Sequence, residues 1–282
     1  MPLSLKMWSC STHSLKMKNM ITVSQGGKDS EYGKILLSNV MVTKKRNLIM
    51  GRTWRNLDIE TAVLILFIHL LVLFAPFTFT WGALWAAYAT SVLRGILGIG
   101  LSYHRNLAHH SFKLPKWLEY TFAYIGVLAF QICFIFFFHA CHQVEIYKES
   151  RYPISWVSIH RYHHQHVDTE KDTHSPIFGF WFSHMGWLFD SGYMLEKYQE
   201  RNNVEDLKKQ TFYRFIKKTC IAFIGICCPR LCFWWIYSFT CLVWVVGVST
   251  TVAYQATFLV NSACHIWGNQ AWNTGDLSKN NW

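Results

Sequence analysis

Two neighbouring apolar segments limit the folds open to this 282-residue chain. Residues 61–79 form a nineteen-residue run, and residues 82–103 form a 22-residue run with a single charge at Arg94. Helical residues rise about 1.5 Å each, so 22 of them reach about 33 Å, just beyond the ~30 Å hydrocarbon core of a bilayer. Lipid-exposed backbone must satisfy its own hydrogen bonds, which favours helices here. The pattern predicts a hairpin of two membrane-spanning helices.

A second hairpin is predicted further along the chain. From Thr219 to Val260 the only charge is Arg230, which follows a proline, so a turn is expected there. The descending arm, Leu231–Val260, would be about 45 Å long as a helix and would carry Asn261 and His265 out of the membrane. The sequence therefore predicts an all-α multispan membrane protein, with two transmembrane hairpins (four spans) and a cytoplasmic histidine-rich cap.

Composition agrees with a membrane location. Apolar residues make up 51% of the chain and charged residues 15%, against about 25% in an average soluble domain. The net charge of +11 could indicate nucleic acid, but the basic residues flank the apolar runs, as expected for cytoplasmic anchoring on anionic lipid. We therefore expect membrane lipid and no nucleic acid as a partner. The nine cysteines form no Cys-x-x-Cys pair and are expected to be reduced.

Seven of the fourteen histidines form two tight clusters. The clusters read His104-Arg-Asn-Leu-Ala-His109-His110 and His160-Arg-Tyr-His163-His164-Gln-His166. Imidazole is the commonest protein ligand for first-row transition metals. His160, His163 and His164 have helical spacing, so at least two of them can address one metal. His104 and His109 are about 500° apart on an α-helix, so they meet only if that helix frays or bends. Together the clusters predict a polynuclear iron site at the membrane surface.

The remaining histidines divide into weaker candidates and ordinary residues. Asn261 and His265 are four apart and point the same way on a helix, and an Asn amide can hold a metal-bound water. His110 and His166 are expected to be outside the ligand set. Ordinary structural or surface roles are expected for His13, His69, His139, His142, His174 and His184.

These motifs resemble the histidine boxes of membrane acyl desaturases, and more narrowly those of the plant delta-9 acyl-lipid/acyl-CoA desaturase-like group. The resemblance lies in His104-Arg-Asn-Leu-Ala-His109, in Trp156-Val-Ser-Ile-His160-Arg-Tyr-His163-His164 and in Asn261-Ser-Ala-Cys-His265-Ile-Trp-Gly. Flanking sequence at residues 111–120, 179–185 and 272–276 is also similar to that group. The likeness covers Arg55 to Trp282 with one interruption.

The resemblance implies two iron ions (Fe2+/Fe3+) as cofactors. Their direct ligands would be His104, His109, His160, His163, His164 and His265, with Asn261 acting through water. Such a site uses O2 and two electrons to introduce a cis double bond into a saturated acyl chain, carried as a fatty acyl-CoA or a glycerolipid. The implied electron donor is a b-type cytochrome in the endoplasmic reticulum, the expected membrane, or ferredoxin in the alternative chloroplast membrane.

Domain organisation is predicted from the same comparison. Residues 1–57 are expected to be a cytosolic tail or a weak transit-like segment, and 58–282 a fatty acid desaturase membrane domain. The family's third histidine box is missing before Trp282, so the domain is expected to be incomplete at its carboxyl end, with poor iron retention and impaired turnover. Residues 132–152 are an atypical insert, expected to be re-entrant or interfacial, and we hypothesise an altered transcript or a gene-prediction error.

Three alternatives stay open at the level of sequence. A fatty acyl hydroxylase on the same scaffold would yield an alcohol in place of an alkene. A non-catalytic metal-binding or transport protein would place ionisable ligands inside its spans, whereas these histidines lie at the ends of the spans. A non-catalytic membrane subunit would pair with an intact homologue.

Overall fold

The computed structural model describes residues 33–48, 51–134, 153–197, 202–216, 239–270 and 278–280. Within these ranges the regular structure is helical and includes no strand, only isolated bridges at Lys34–Met41 and Asn269–Asn280. The predicted all-α class is therefore confirmed for the described part of the chain.

Eight helices are named along the described segments. They are α1 (Asn56–Val72), α2 (Trp81–Ala108), α3 (Lys116–Phe134), α4 (Pro153–Gln165), α5 (Phe180–His184), α6 (Ser191–Lys197), α7 (Glu205–Lys208) and α8 (Phe239–Ile266). Short 3-10 turns occupy Ala75–Thr78, Pro176–Phe178 and Gly186–Phe189, and residues 211–216 are also helical.

Two of the described helices, α2 and α8, are long and apolar enough to cross a membrane. Helix α2 contains the predicted run 82–103, and its start is capped by the Thr80 hydroxyl, which accepts a hydrogen bond from Ala83 N–H at 3.1 Å. The run 61–79 is not one helix, because α1 ends at Val72 and Pro76 lies in the following 3-10 turn. The turn near Arg230 and most of the insert at 132–152 lie outside the described residues.

Both long helices contain a stretch of π-helix, here called wide turns, whose typical backbone bond joins an N–H to the carbonyl five residues earlier, as in His109 to His104 and Ser249 to Trp244. These stretches are Val92–Ala108 in α2 and Leu242–Val248 in α8. Wide turns of this type are rare and occur frequently at functional sites.

Helices α2 and α8 pack in parallel, since increasing residue numbers on one meet increasing numbers on the other. Ala83 and Ala87 of α2 pack with Val243 and Trp244 of α8, and Ser91 then meets Ser249. The carboxyl ends of both helices, which carry predicted site residues, therefore lie on the same side.

Helix α3 packs closely along the second half of α2. A Cβ added at Gly98 would lie 2.8 Å from the Cα of Gly126, so the two backbones can approach only because both residues lack side chains. Nearby, the buried Tyr103 hydroxyl donates to the carbonyl of Ala123 at 3.2 Å. Apolar residues of α3, α4 and α7 complete this core and support the end of α2.

Candidate metal centre

Four histidines from two helices converge at the end of α2. His104 lies in α2, His109 is the residue that follows its end, and His160 and His164 lie in α4. One ring nitrogen from each lies within 4.8 Å of the others. The Nε2 atom of His160 is 3.0 Å from that of His164 and 3.3 Å from that of His109. Four imidazoles thus point at one small volume.

The wide turns of α2 explain why His104 and His109 meet. The N–H of His109 donates to the carbonyl of His104 at 3.0 Å, which is an i→i+5 bond. Two helical residues that are joined by one backbone hydrogen bond lie one above the other, as residues i and i+4 do on an α-helix. The two rings are accordingly 4.5 Å apart, centre to centre. The wide turns therefore bring two residues that are five apart onto the same side of the helix, and the helix does not have to fray before His104.

Helix α4 presents its two histidines by ordinary α-helical spacing. His160 and His164 are one turn apart, with ring centres 4.5 Å apart. The Trp156 ring stacks on His160 at 4.8 Å with an interplanar angle of 16°, which limits rotation of that imidazole. Arg161 donates to the carbonyl of Leu107 at 2.6 Å and so ties α4 to the end of α2. These contacts set the relative position of the two histidine-bearing helices.

The donor geometry fits a metal ion. Ligand nitrogens about 2.1 Å from a common ion lie roughly 3.0–3.4 Å apart in right-angled or tetrahedral arrangements, and the two Nε2 separations at His160 are 3.0 and 3.3 Å. Burial, followed by the charges of His104 and His164, lowers the pKa of His160 well below 6.5. At neutral pH this ring is uncharged, the state that metal ligation requires.

A second group comprises His163, Asp172 and His174, whose ligand atoms also lie within 4.8 Å of one another. His163 Nδ1–H donates to Asp172 Oδ1 at 2.7 Å, with both side chains buried. This distance is that of a hydrogen bond and leaves no room for an ion between the two atoms. Asp172 therefore fixes the proton of His163 on Nδ1 and leaves its Nε2 lone pair available.

The charge state of Asp172 follows from its neighbours. Burial would raise the pKa of this carboxyl, but the charge of His174 and the hydrogen bond and charge of His163 lower it to about 2. Burial, followed by the charge of His163, lowers the pKa of His174 to about 3. The group therefore combines a carboxylate with a neutral, buried His174 ring, 4.2 Å from the His163 ring.

His265, from the end of α8, lies beside this second group. Its ring centre is 5.4 Å from that of His163, and its Nδ1 is 3.2 Å from Oδ1 of Asp168. Asp168 has a φ of 56°, a left-handed conformation that Asp tolerates better than most residues. Asn261 is partly buried one turn before His265 on α8. The six predicted histidine ligands thus divide into a group of four and a pair, His163 and His265.

His110, His166 and His184 lie outside the four-histidine group. His110 follows the end of α2 with a φ of 51°, and its Nε2 lies 2.9 Å from Arg161. His166 packs against Tyr162, outside the four-histidine group. His184 bonds Ser262 at 3.0 Å and Gln255 at 3.1 Å, two positions seven apart on the same face of α8. Gln255 in turn bonds His69 of α1 at 3.2 Å. His13, His139 and His142 lie outside the described residues.

Sequence reasoning missed the polar residues that follow the second cluster. Asp168, Asp172 and His174 lie on the loop after α4, which returns to the site. Their signal was the run of acidic and imidazole side chains within ten residues of His164. The Asp172 backbone carbonyl also accepts a hydrogen bond from the buried Tyr193 hydroxyl.

Known proteins resemble this chain over most of its length. The palmitoyl-monogalactosyldiacylglycerol delta-7 desaturase, chloroplastic, of Arabidopsis thaliana is 45% identical over 267 residues, which are 94% of this chain and 66% of that protein. Delta-9 acyl-lipid desaturase 1 of the same plant is 44% identical over 93% of this chain and 79% of its own length. The acyl-CoA C20 Delta5-desaturase of Anemone leveillei is 42% identical, with coverages of 90% and 75%. No protein-family model matches the chain.

A helical protein with two membrane-length helices and converging histidines is thus 42–45% identical to proteins that are named as desaturases of acyl lipids or acyl-CoA. The chain belongs to the family of plant delta-9 acyl-lipid/acyl-CoA desaturases and desaturase-like proteins. It spans about two thirds of the length of the delta-7 desaturase (66%).

Proposed function

We propose that this chain is the membrane domain of an iron-dependent acyl desaturase, which uses O2 to introduce a cis double bond into a saturated fatty acyl chain. The convergence of His104, His109, His160 and His164, in a chain at least 42% identical to desaturases, carries the proposal. The relatives are named for both acyl-lipid and acyl-CoA substrates, so the acyl chain is the shared chemistry. We propose a delta-9-type position for the double bond.

Two iron ions are proposed as the cofactor. The four-histidine group would hold one ion, and His163 and His265 would contribute to the second, with Asn261 acting through a water molecule. Iron would supply the activation of O2. The reaction balances when one –CH2–CH2– unit, O2, two electrons and two protons give –CH=CH– and two water molecules. A b-type cytochrome or ferredoxin would supply the electrons.

The protein's own contribution is to hold the imidazoles neutral and correctly oriented. Burial keeps the His160 ring uncharged, and the Trp156 ring restricts its rotation. The Asp172 carboxylate holds the proton of His163 on Nδ1, so that Nε2 faces the site as an acceptor. Partners of this kind typically change metal affinity 10–100-fold.

The location and boundaries are part of the proposal. We propose that residues 58–282 form the desaturase membrane domain and that it resides in the endoplasmic reticulum, with four spans and the histidines on the cytoplasmic side. Two relatives have names that include the word chloroplastic, so the chloroplast membrane is the alternative. A fluorescent fusion in leaf cells distinguishes the two membranes.

Iron content tests the metal site directly. The protein purified in detergent from iron-supplemented cells is expected to contain more iron than zinc, and His164→Ala is expected to lower that iron content at least tenfold. His166→Ala is the matched control, because it removes an imidazole two residues away and outside the four-histidine group. Zinc in place of iron, or equal iron loss in both variants, would contradict the proposal.

Activity is tested by fatty acid analysis in a desaturase-deficient yeast. The 282-residue chain is compared with a chimera in which the family's third histidine box is appended after Trp282. Mass spectrometry should detect a cis-alkene from the chimera and none from its His164→Ala variant. An alcohol product would replace the desaturase proposal with a hydroxylase.

A further inference from the structure

Arg94 is a charged side chain buried between the two long apolar helices. It is only 5% exposed. Its Nε donates to the carbonyl of Thr90 on its own helix at 3.1 Å. Its terminal nitrogens donate across to α8, to the Thr250 hydroxyl at 3.2 Å, the Val245 carbonyl at 3.0 Å and the Ser249 hydroxyl. These contacts are all made to neutral oxygen atoms.

The contacts of Arg94 form the centre of a larger polar cluster. The hydroxyls of Thr90 and Ser91 each bond the Ser249 hydroxyl, at 3.0 and 2.9 Å. The guanidinium bonds Val245 within the wide-turn stretch of α8, and Arg94 itself lies in the wide-turn stretch of α2. The two irregular stretches are thus tied to each other by one side chain.

The energetics of a buried charged side chain indicate that Arg94 specifies the register of the two helices and adds little to the stability of the fold. A charged residue inside a membrane helix is costly. Replacing a buried charged group by an apolar side chain of similar volume is often neutral or stabilising. The best-attested use of a buried polar group is to select one register between packed helices. Apolar helix faces alone distinguish poorly between registers that differ by one turn.

The register at Arg94 determines the height of the metal site. Ser91 bonds Ser249, which is 158 positions later, and Arg94 bonds Thr250, which is 156 positions later. His104 lies further along α2, and Asn261 and His265 lie further along α8, so the register of the two helices affects the relative height of these side chains. A slip of one helical turn would move them apart by about 5.4 Å, whereas functional groups must be held within about 0.5 Å.

We propose that Arg94 is a positioning residue, which locks the register of α2 against α8 and thereby aligns His104 with Asn261 and His265. The link from this register to the metal site rests on the proposed function. The lock itself is a property of the helix pair and can be measured without any metal.

Disulfide formation reports the register. Ser91→Cys with Ser249→Cys replaces two hydroxyls that touch, so the pair should oxidise readily, and peptide mapping separates this bond from those of native cysteines. The guanidinium keeps its Val245 and Thr250 acceptors in this background. Adding Arg94→Met should lower the disulfide yield about fivefold or more. Leu93→Met, at an exposed neighbouring position, should leave the yield unchanged.

The thermal midpoint and the iron content complete the test. Arg94→Met should keep its midpoint within a few degrees of wild type and lose iron, because register is lost and folding is not. Equal disulfide yields in Arg94→Met and Leu93→Met would overturn the inference. If Arg94→Met does not reach the membrane, Thr250→Val in the same double-cysteine background replaces it in the test. This change removes one acceptor of Arg94 and leaves the charge in place. An unchanged disulfide yield in Thr250→Val would then overturn the inference. Absence of iron from the wild type even after purification from iron-supplemented cells would refute the proposed function and leave the disulfide result standing.

Discussion

Replacing Asp172 by Asn tests the account of the second histidine group most directly. Oδ1 of Asp172 accepts from His163 Nδ1 at 2.7 Å and from the His174 backbone N–H at 3.3 Å, while Oδ2 accepts from the Asp168 N–H at 3.1 Å. An amide has one oxygen, so whichever end carries its NH2 must face a donor. The less costly orientation keeps the oxygen at His163 and loses the bond to Asp168.

The expected magnitude follows from these contacts. The His163 bond exchanges a charged acceptor, which contributes about 1.5–3 kcal/mol, for a neutral one, which contributes about 0.5–1.5 kcal/mol, so about 1–1.5 kcal/mol is lost. Residues that orient a metal ligand typically change metal affinity 10–100-fold, which corresponds to about 1.4–2.8 kcal/mol. The two ranges overlap near about 1.4 kcal/mol. Asp172→Asn should therefore weaken iron binding at the His163 position about tenfold.

Competition with a coloured chelator measures this affinity on the detergent-purified protein. Glu170→Gln is the matched control, because it makes the same carboxylate-to-amide change two residues earlier, in an exposed ion pair with Lys44. Its affinity should equal that of the wild type, since exposed ion pairs contribute little. Equal affinities in Asp172→Asn and Glu170→Gln would refute the orienting role of Asp172.

Three further predictions concern packing, helix docking and acid stability. Gly98→Ala should destabilise the protein by about 1–3 kcal/mol because its Cβ would meet the Gly126 backbone at 2.8 Å, whereas Gly95→Ala, with open space, should not; the thermal midpoint in detergent measures both. Arg161→Lys should lower the free energy of unfolding by about 1 kcal/mol and lower the same thermal midpoint. A lysine cannot bond both the Leu107 carbonyl at the end of α2 and the Asp206 carboxylate of α7. The pKa of Asp172 is depressed from 3.8 to about 2. Its ionised form therefore stabilises the fold above pH 3.8 and this stabilisation is lost as the pH falls to 2, so Asp172→Asn should flatten the acid limb of the unfolding curve between those values.

The long helices were predictable because length and apolarity act locally. The run 82–103 predicted the core of α2, and its far end was extended to Ala108 by packing against α3 and α4. The apolar run 61–79 is longer than the helix it predicted, since it continues past Val72 although the backbone leaves the helix before Pro76. Hydrophobicity identifies a buried segment but does not by itself locate a helix end.

The division of the histidines depended on tertiary structure. Spacing alone placed His160, His163 and His164 on one side of a helix, yet the structure turns His163 toward Asp172 and His265 and leaves the other two with α2. No local pattern contains this information, because the deciding contacts come from the loop after α4 and from the end of α8.

The five-residue spacing of His104 and His109 can, in retrospect, be used as a structural signal. On an α-helix the two side chains diverge, and a site that needs both would require the helix to end between them. In the structure the helix continues past His104 to Ala108, and the N–H of His109, the next residue, still bonds the carbonyl of His104, an i→i+5 bond that brings residues five apart into line. Wide turns are less stable than α-helical ones, so they need support from outside the helix. Here that support comes from Gly98 against α3 and from Arg94 against α8, on either side of the same stretch. The spacing of the first histidine cluster, the paired glycines and the buried arginine are therefore parts of one arrangement, in which the last turn of a membrane-length irregular helix brings two imidazoles together.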